Sequence, residues 1–274
     1  MTTVRMPIPP PLPVRRQTEI PSAGVSPMLG RLAAERATGV LMREGGMLHL
    51  LEGQVVYAES HATPGLDVLL VARGALDEEG WREAVAEAGA HRLVGRFLVD
   101  SGRIGQGALE LCHLGALYDA AYFVLGPSSA PARFRYGEGH WLGPVRPVPV
   151  AAVERETLRR RELLHRIWPD PETDQAPLVR AARPAGPAVT PRQGAVLDRI
   201  DGVRTATDIS RQLGRPAFHT LVDVRRLAAA GVVAARPAVP APRAETLVPT
   251  AQPAPFADPH ITLLKRLRDA LEAL

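Results

Sequence analysis

The chain has 274 residues, 46% hydrophobic and 23% charged, which suits one large domain or two smaller ones and excludes disorder throughout. A single cysteine, Cys112, excludes an internal disulfide and a multi-cysteine zinc centre and points to a reducing compartment. The net charge of +4 says little about partners, because 32 of the 33 basic residues are arginine, Lys265 is the only lysine and asparagine is absent, a bias expected of a high-GC bacterium.

Charge distribution is more informative. Residues 28–125 carry 13 acids against 8 arginines, net −5, whereas 188–236 carry 8 arginines against 4 aspartates, net +4. The opening MTTVRMPIPPPLPVRRQ places prolines where a signal peptide needs an apolar run, and the apolar stretch 109–125 contains Asp119 and is too short to span lipid. The expectation is a cytoplasmic protein with no membrane partner.

Residues 1–27 are expected to form a disordered, proline-rich tail of polyproline II character. A regulatory domain over 28–167 follows. It starts with a helix through Leu29 and Leu32, then three short β-rich runs (40–43, 47–51, 55–59) separated by Gly45-Gly46 and Glu52-Gly53, which predicts a three-stranded antiparallel meander. Helices are predicted over 66–73, 78–88 with Asp77 as cap, 91–101 and 107–125, three of them stopped by Gly74, Gly89 and Gly102. Runs at 133–136 and 140–142 predict a returning hairpin that extends the meander, and 150–167 an Arg/Glu-rich helix.

The order of a leading helix, ATGVL (37–41), LEGQVVYAES (51–60), ARGAL (72–76), LVDSGRI (98–104), a long helix and a final aromatic strand resembles the PATAN domain over about 27–141. That bacterial signalling family occurs beside receiver domains and small-GTPase regulators and has no established catalytic residues. The resemblance therefore implies an α+β fold and protein partners that are GTPase-associated or receiver-domain proteins. The inserted GPSSAPAR (126–133) departs from the family pattern before the last strand.

Residues 168–187 (WPDPETDQAPLVRAARPAGP) are expected to be a linker, followed by a compact block over 188–236. Here a helix ends at Gly202, Thr205 caps a second helix, Gly214 turns the chain, and Pro216 opens a third helix with an apolar stripe of Phe218, Leu221, Val224 and Leu227. The spacing resembles a winged helix-turn-helix with one visible wing strand at 232–235. If it binds DNA, His219, Thr220, Asp223 and Arg226 stand clear of the stripe and face the groove, with Arg215 and Arg225 on phosphate. The alternative is a winged helix that contacts only protein.

A second linker is expected over 237–259 and an amphipathic helix over 260–274, which folds back, pairs in a homodimer or docks on a partner through Leu264, Leu267 and Leu271.

No motif supports catalysis. GRIGQG (102–107) follows a helix rather than a strand, which does not suit a phosphate cradle. Cys112 and His113 are adjacent on a helix and point apart, Glu78, Glu79, Glu83 and Glu87 share one solvated helix, and the eight histidines contain no i,i+4 pair or HExxH. The expectation is no enzyme, no cofactor, no metal, and a regulator of transcription or a signalling adaptor.

Overall fold

The computed structural model describes residues 26–137, 139–181 and 189–236; the expected tail up to residue 25, the linker over 237–259 and the terminal helix with Leu264, Leu267 and Leu271 lie outside the described residues. Helix α1 (Pro27–Ala34) begins at Ser26, whose hydroxyl accepts from the Leu29 amide, and buries Leu29 and Leu32. Strands β1 (Gly39–Arg43), β2 (Gly46–Leu51) and β3 (Gln54–Glu59) then form the meander. Its second turn has two central residues with positive φ, Glu52 at 49° and Gly53 at 79°, the geometry that matches strand twist in a two-residue hairpin.

Helices α2 (Leu66–Ala72), α3 (Glu78–Ala88), α4 (Val94–Asp100) and α5 (Gln106–Val124) follow. The start of α4 is later than the expected 91, because Arg92 takes a positive φ of 58° that ends helical continuity. Strand β4 (Arg133–Tyr136) pairs with β1, as the returning run predicts. The 140–142 run, however, is a turn, and the opposite sheet edge is closed instead by β5 (Val148–Pro149) against β3. The sheet is antiparallel, ordered β4-β1-β2-β3-β5, so the molecule is of the α+β class.

Helix α6 (Val150–Ile167) leads into the stretch expected as linker. That expectation is corrected over 168–181, which carries α7 (Glu172–Gln175) and β6 (Leu178–Arg180). Helices α8 (Pro191–Leu197), α9 (Ala206–Gln212) and α10 (Ala217–Ala229) and strand β7 (Val233–Ala235) complete the second block. Thr205 caps α9 in a reciprocal box with Asp208. The partner of the visible wing strand is β6, supplied by the segment ahead of the helices.

Three apolar clusters organise these elements, and α5 touches all of them. Leu117, Ala120, Ala121 and Val124 pack under the sheet with α1 and the start of α6. Leu109, Cys112 and Ala116 pack with α2, α3 and α4. Tyr122 and Phe123 pack against the core of α8, α9 and α10, which also takes Leu164 from the end of α6. From Cys112 to Val124 no residue of α5 is exposed, and a helix segment covered on every side needs no polar stripe, which explains its nearly continuous apolar run. The sheet block and the helix-turn-helix block belong to one compact unit ending at Arg236, rather than to two units parted at the expected linker. No helix among the described residues is long and apolar enough to cross a membrane.

Candidate functional site

The N-terminus of α10, the helix expected to read DNA, is already occupied. Its cap position is Pro216, which has no side-chain oxygen to accept from the first amides. Asp119, from the middle of α5, caps the helix instead. Its Oδ2 accepts from the Ala217 amide at 2.7 Å and its Oδ1 from the Phe218 amide at 2.8 Å. The carboxyl is fully buried, and burial raises its pKa to about 6 although the two amides and Arg160 favour the charged form. Arg160 lies 3.9 Å from Asp119 and stacks over the Phe218 ring at 4.6 Å from its centroid, so the junction is roofed by a cation.

This packing corrects the expected outward face of α10. Ten of its thirteen residues are buried. Thr220 is only 1% exposed, and its hydroxyl makes a long 3.5 Å contact back to the Pro216 carbonyl. Arg225, 5% exposed, forms a bidentate pair with Asp174 of α7 at 2.8 and 2.6 Å and donates to the Leu164 and Trp168 carbonyls at the end of α6. Asp223 is buried and accepts from Arg192 at 2.7 Å. The helix is clamped between α6, α7 and α8, and a major-groove reader needs the opposite. Only His219, Arg226 and Ala229 remain exposed on α10.

Arg215 and His219 do lie together, in a cleft of about 690 Å³ that also takes Arg73 and Arg192. Gly214 explains the juxtaposition. It has a positive φ of 57°, and a Cβ there would stand 2.6 Å from the Ala72 Cβ, so the two blocks touch at Ala72 and Gly214 and set Arg73 beside Arg215. Among the described residues neither Arg73 nor Arg215 pairs with a carboxylate. Although His219 is exposed, partial desolvation of its ring in the cleft lowers its pKa, and Arg192, Arg160 and Arg73 add to the shift against the opposing Asp223. The cleft is therefore basic.

A second constellation has no counterpart among the motifs of the sequence. His49 of β2 pairs across the sheet with Tyr57 of β3, Glu59 lies two residues further on, and His140 comes in from the turn after β4. The His140 ring stacks on Tyr57 at 4.0 Å between centroids and meets His49 edge-on at 4.5 Å. His140 Nε2 donates to Glu59 Oε1 at 3.0 Å, and its Nδ1 accepts from the Leu142 amide at 3.3 Å. The Glu59 carboxyl is held below its ordinary range, chiefly by that hydrogen bond. His49 is pushed down to about 4, first by burial and then by His140, against the pull of Glu59. His113 of α5 also stacks on Tyr57, at 6.0 Å between centroids; it bonds the Val56 carbonyl at 2.8 Å and is held down by burial. His49, Glu59 and His140 could hold a metal, since one donor atom from each falls within 4.8 Å of the others. None of this constellation is legible in the sequence: a regular two-residue hairpin sets His49 opposite Val56, a register shift between His49 and Leu50 brings it to Tyr57 instead, and His140 is 81 positions from Glu59 and has no local signal.

No family model, curated protein or solved structure matches this chain.

Proposed function

We propose that the protein is a non-enzymatic cytoplasmic regulator, a signalling adaptor that acts by binding other proteins, in which the helix-turn-helix block is a packing and contact module rather than a reader of bases. The single observation that carries the reading is the Asp119 carboxylate seated on the first amides of α10, because the end of a recognition helix that must meet base edges is closed by the neighbouring block. The resemblance to PATAN domains supports GTPase-associated or receiver-domain proteins as the partner class.

The test is binding of the full chain to genomic duplex fragments by fluorescence anisotropy over a salt series, together with co-purification from the native bacterium. The adaptor reading expects a GTPase-associated or receiver-domain partner and no sequence-selective retention of DNA. Selective retention that is lost in Arg226→Ala would return the protein to the transcription regulators. The basic cleft of Arg73, Arg215 and His219 favours one second reading, contact with nucleic-acid phosphate without groove entry. Its signature is steep salt dependence with no preference among sequences.

A further inference from the structure

Three nitrogen and oxygen donors from separate elements converge at one end of the sheet. His140 Nε2 and His49 Nε2 stand 3.0 and 3.9 Å from the same atom, Glu59 Oε1, and the cluster fits within 4.8 Å. Ligands of a tetrahedral zinc ion with bonds of about 2.0 Å are roughly 3.3 Å apart, so small rotations of these side chains would close the set. We propose that His49, Glu59 and His140 form a divalent transition-metal site, a two-histidine, one-carboxylate set that takes Zn²⁺.

A purely structural account explains two of the three groups. The hydrogen bond from His140 to Glu59 satisfies both partners, but it leaves His49 Nε2 buried with no hydrogen-bond partner among the described residues. Such an atom costs stability unless something meets it, and a metal ion does so directly. The donor types also agree: two imidazoles and one carboxylate suit zinc better than calcium or magnesium, which prefer oxygen. The frame is stiff, because His49 and Glu59 belong to paired strands and His140 is stacked on Tyr57. Glu59 also lines a cleft of about 320 Å³ with Tyr57, Asp67 and Trp141, which gives a fourth ligand room to approach.

One contact opposes the ion. Metal on His140 Nε2 moves the ring proton to Nδ1, where the Leu142 amide now donates at 3.3 Å, so that bond must open. The loss is one long, neutral hydrogen bond in a turn, small beside the free energy of a zinc site. Ion binding is thus expected to shift the turn holding Trp141 and Leu142 against the sheet edge.

The experiment uses the full chain, free of any affinity tag and stripped with a chelator. Titration with Co²⁺ should give visible ligand-field absorption that saturates at one equivalent and is bleached by Zn²⁺, and Zn²⁺ should raise the melting temperature. Glu59→Gln keeps an oxygen to accept from His140, so it should remain folded by circular dichroism, yet weaken Zn²⁺ binding by more than the roughly 10–100-fold that losing an outer-shell partner costs. His49→Ala should do the same, and His165→Ala, on the exposed side of α6, should change nothing. The proposal is overturned if stoichiometric Co²⁺ gives no ligand-field absorption, or if that absorption survives unchanged in both Glu59→Gln and His49→Ala.

Discussion

The sheet block and the helix-turn-helix block are held by different forces. Under the sheet, Leu29, Leu32, Leu41, Leu48, Leu50 and Val55 make an apolar layer whose positions alternate along the strands or recur along α1. The second block has its own apolar core, but its edges are pinned by charge: Arg225 to Asp174, Arg192 to Asp223, and Asp119 to the amides of α10. Apolar layers tolerate sliding and repacking, whereas a buried ion pair tolerates only its partner. The charged pins therefore define how α10 sits, and they do so by consuming the polar groups that a DNA reader would turn outward.

Breaking the strongest pin should have the largest effect. Arg225→Ala leaves Asp174 in a site where it is 15% exposed and removes one donor each from the Trp168 carbonyl and the Leu164 carbonyl, the latter keeping the Trp168 amide, and is expected to cost about 3–5 kcal/mol in urea unfolding. A cost below about 1 kcal/mol would mean that apolar packing alone holds α10. Asp119→Ala leaves the Ala217 and Phe218 amides buried without acceptors and should cost about 2–4 kcal/mol at neutral pH, reduced by relief of the buried charge.

The same carboxyl sharpens the comparison through pH. Its folded pKa of about 6 lies above the ordinary 3.8, so the folded state binds the proton more tightly; the stabilisation is complete below 3.8 and lost as pH rises through 6. His49 acts with the opposite sign: its folded pKa is depressed to about 4, so its contribution is present above 6.5 and lost as pH falls through 4. In chelator, the stability difference between the parent protein and Asp119→Ala should widen from about pH 7 to about pH 4 by on the order of 2–3 kcal/mol, read from parallel denaturation series. A flat difference would show that burial does not disfavour the charged carboxylate.

The smallest effect is expected at Arg226, which is exposed on α10 and whose side chain makes no ion pair or hydrogen bond among the described residues: Arg226→Ala should change unfolding free energy by less than about 0.5 kcal/mol. A large loss would mean that this last polar stripe of α10 is also a structural contact.

These contrasts track what is legible in the sequence. The meander is readable because each of its turns is two residues long and its strands follow one another, so the information is local. The Asp77 and Thr205 caps are readable for the same reason, since each side chain accepts from an amide three residues away. Strand β6 is hidden in a proline-rich stretch: three residues, Leu178–Arg180, become a strand only because Val233–Ala235 comes alongside. Pro216 marks the start of α10 in the sequence, but the missing cap is supplied by Asp119, 98 positions before Ala217.

By itself, then, the sequence determined the α+β class, the meander, the succession of helices and the change in charge sign between the blocks, because periodicity, turn chemistry and composition act within a few residues. Only the tertiary structure decided that the two blocks share one unit, that Thr220 and Arg225 turn inward, and that His49, Glu59 and His140 meet. The reason is that burial and ionic pairing depend on which surfaces come together, and no spacing along a chain encodes a partner 51, 81 or 98 residues away.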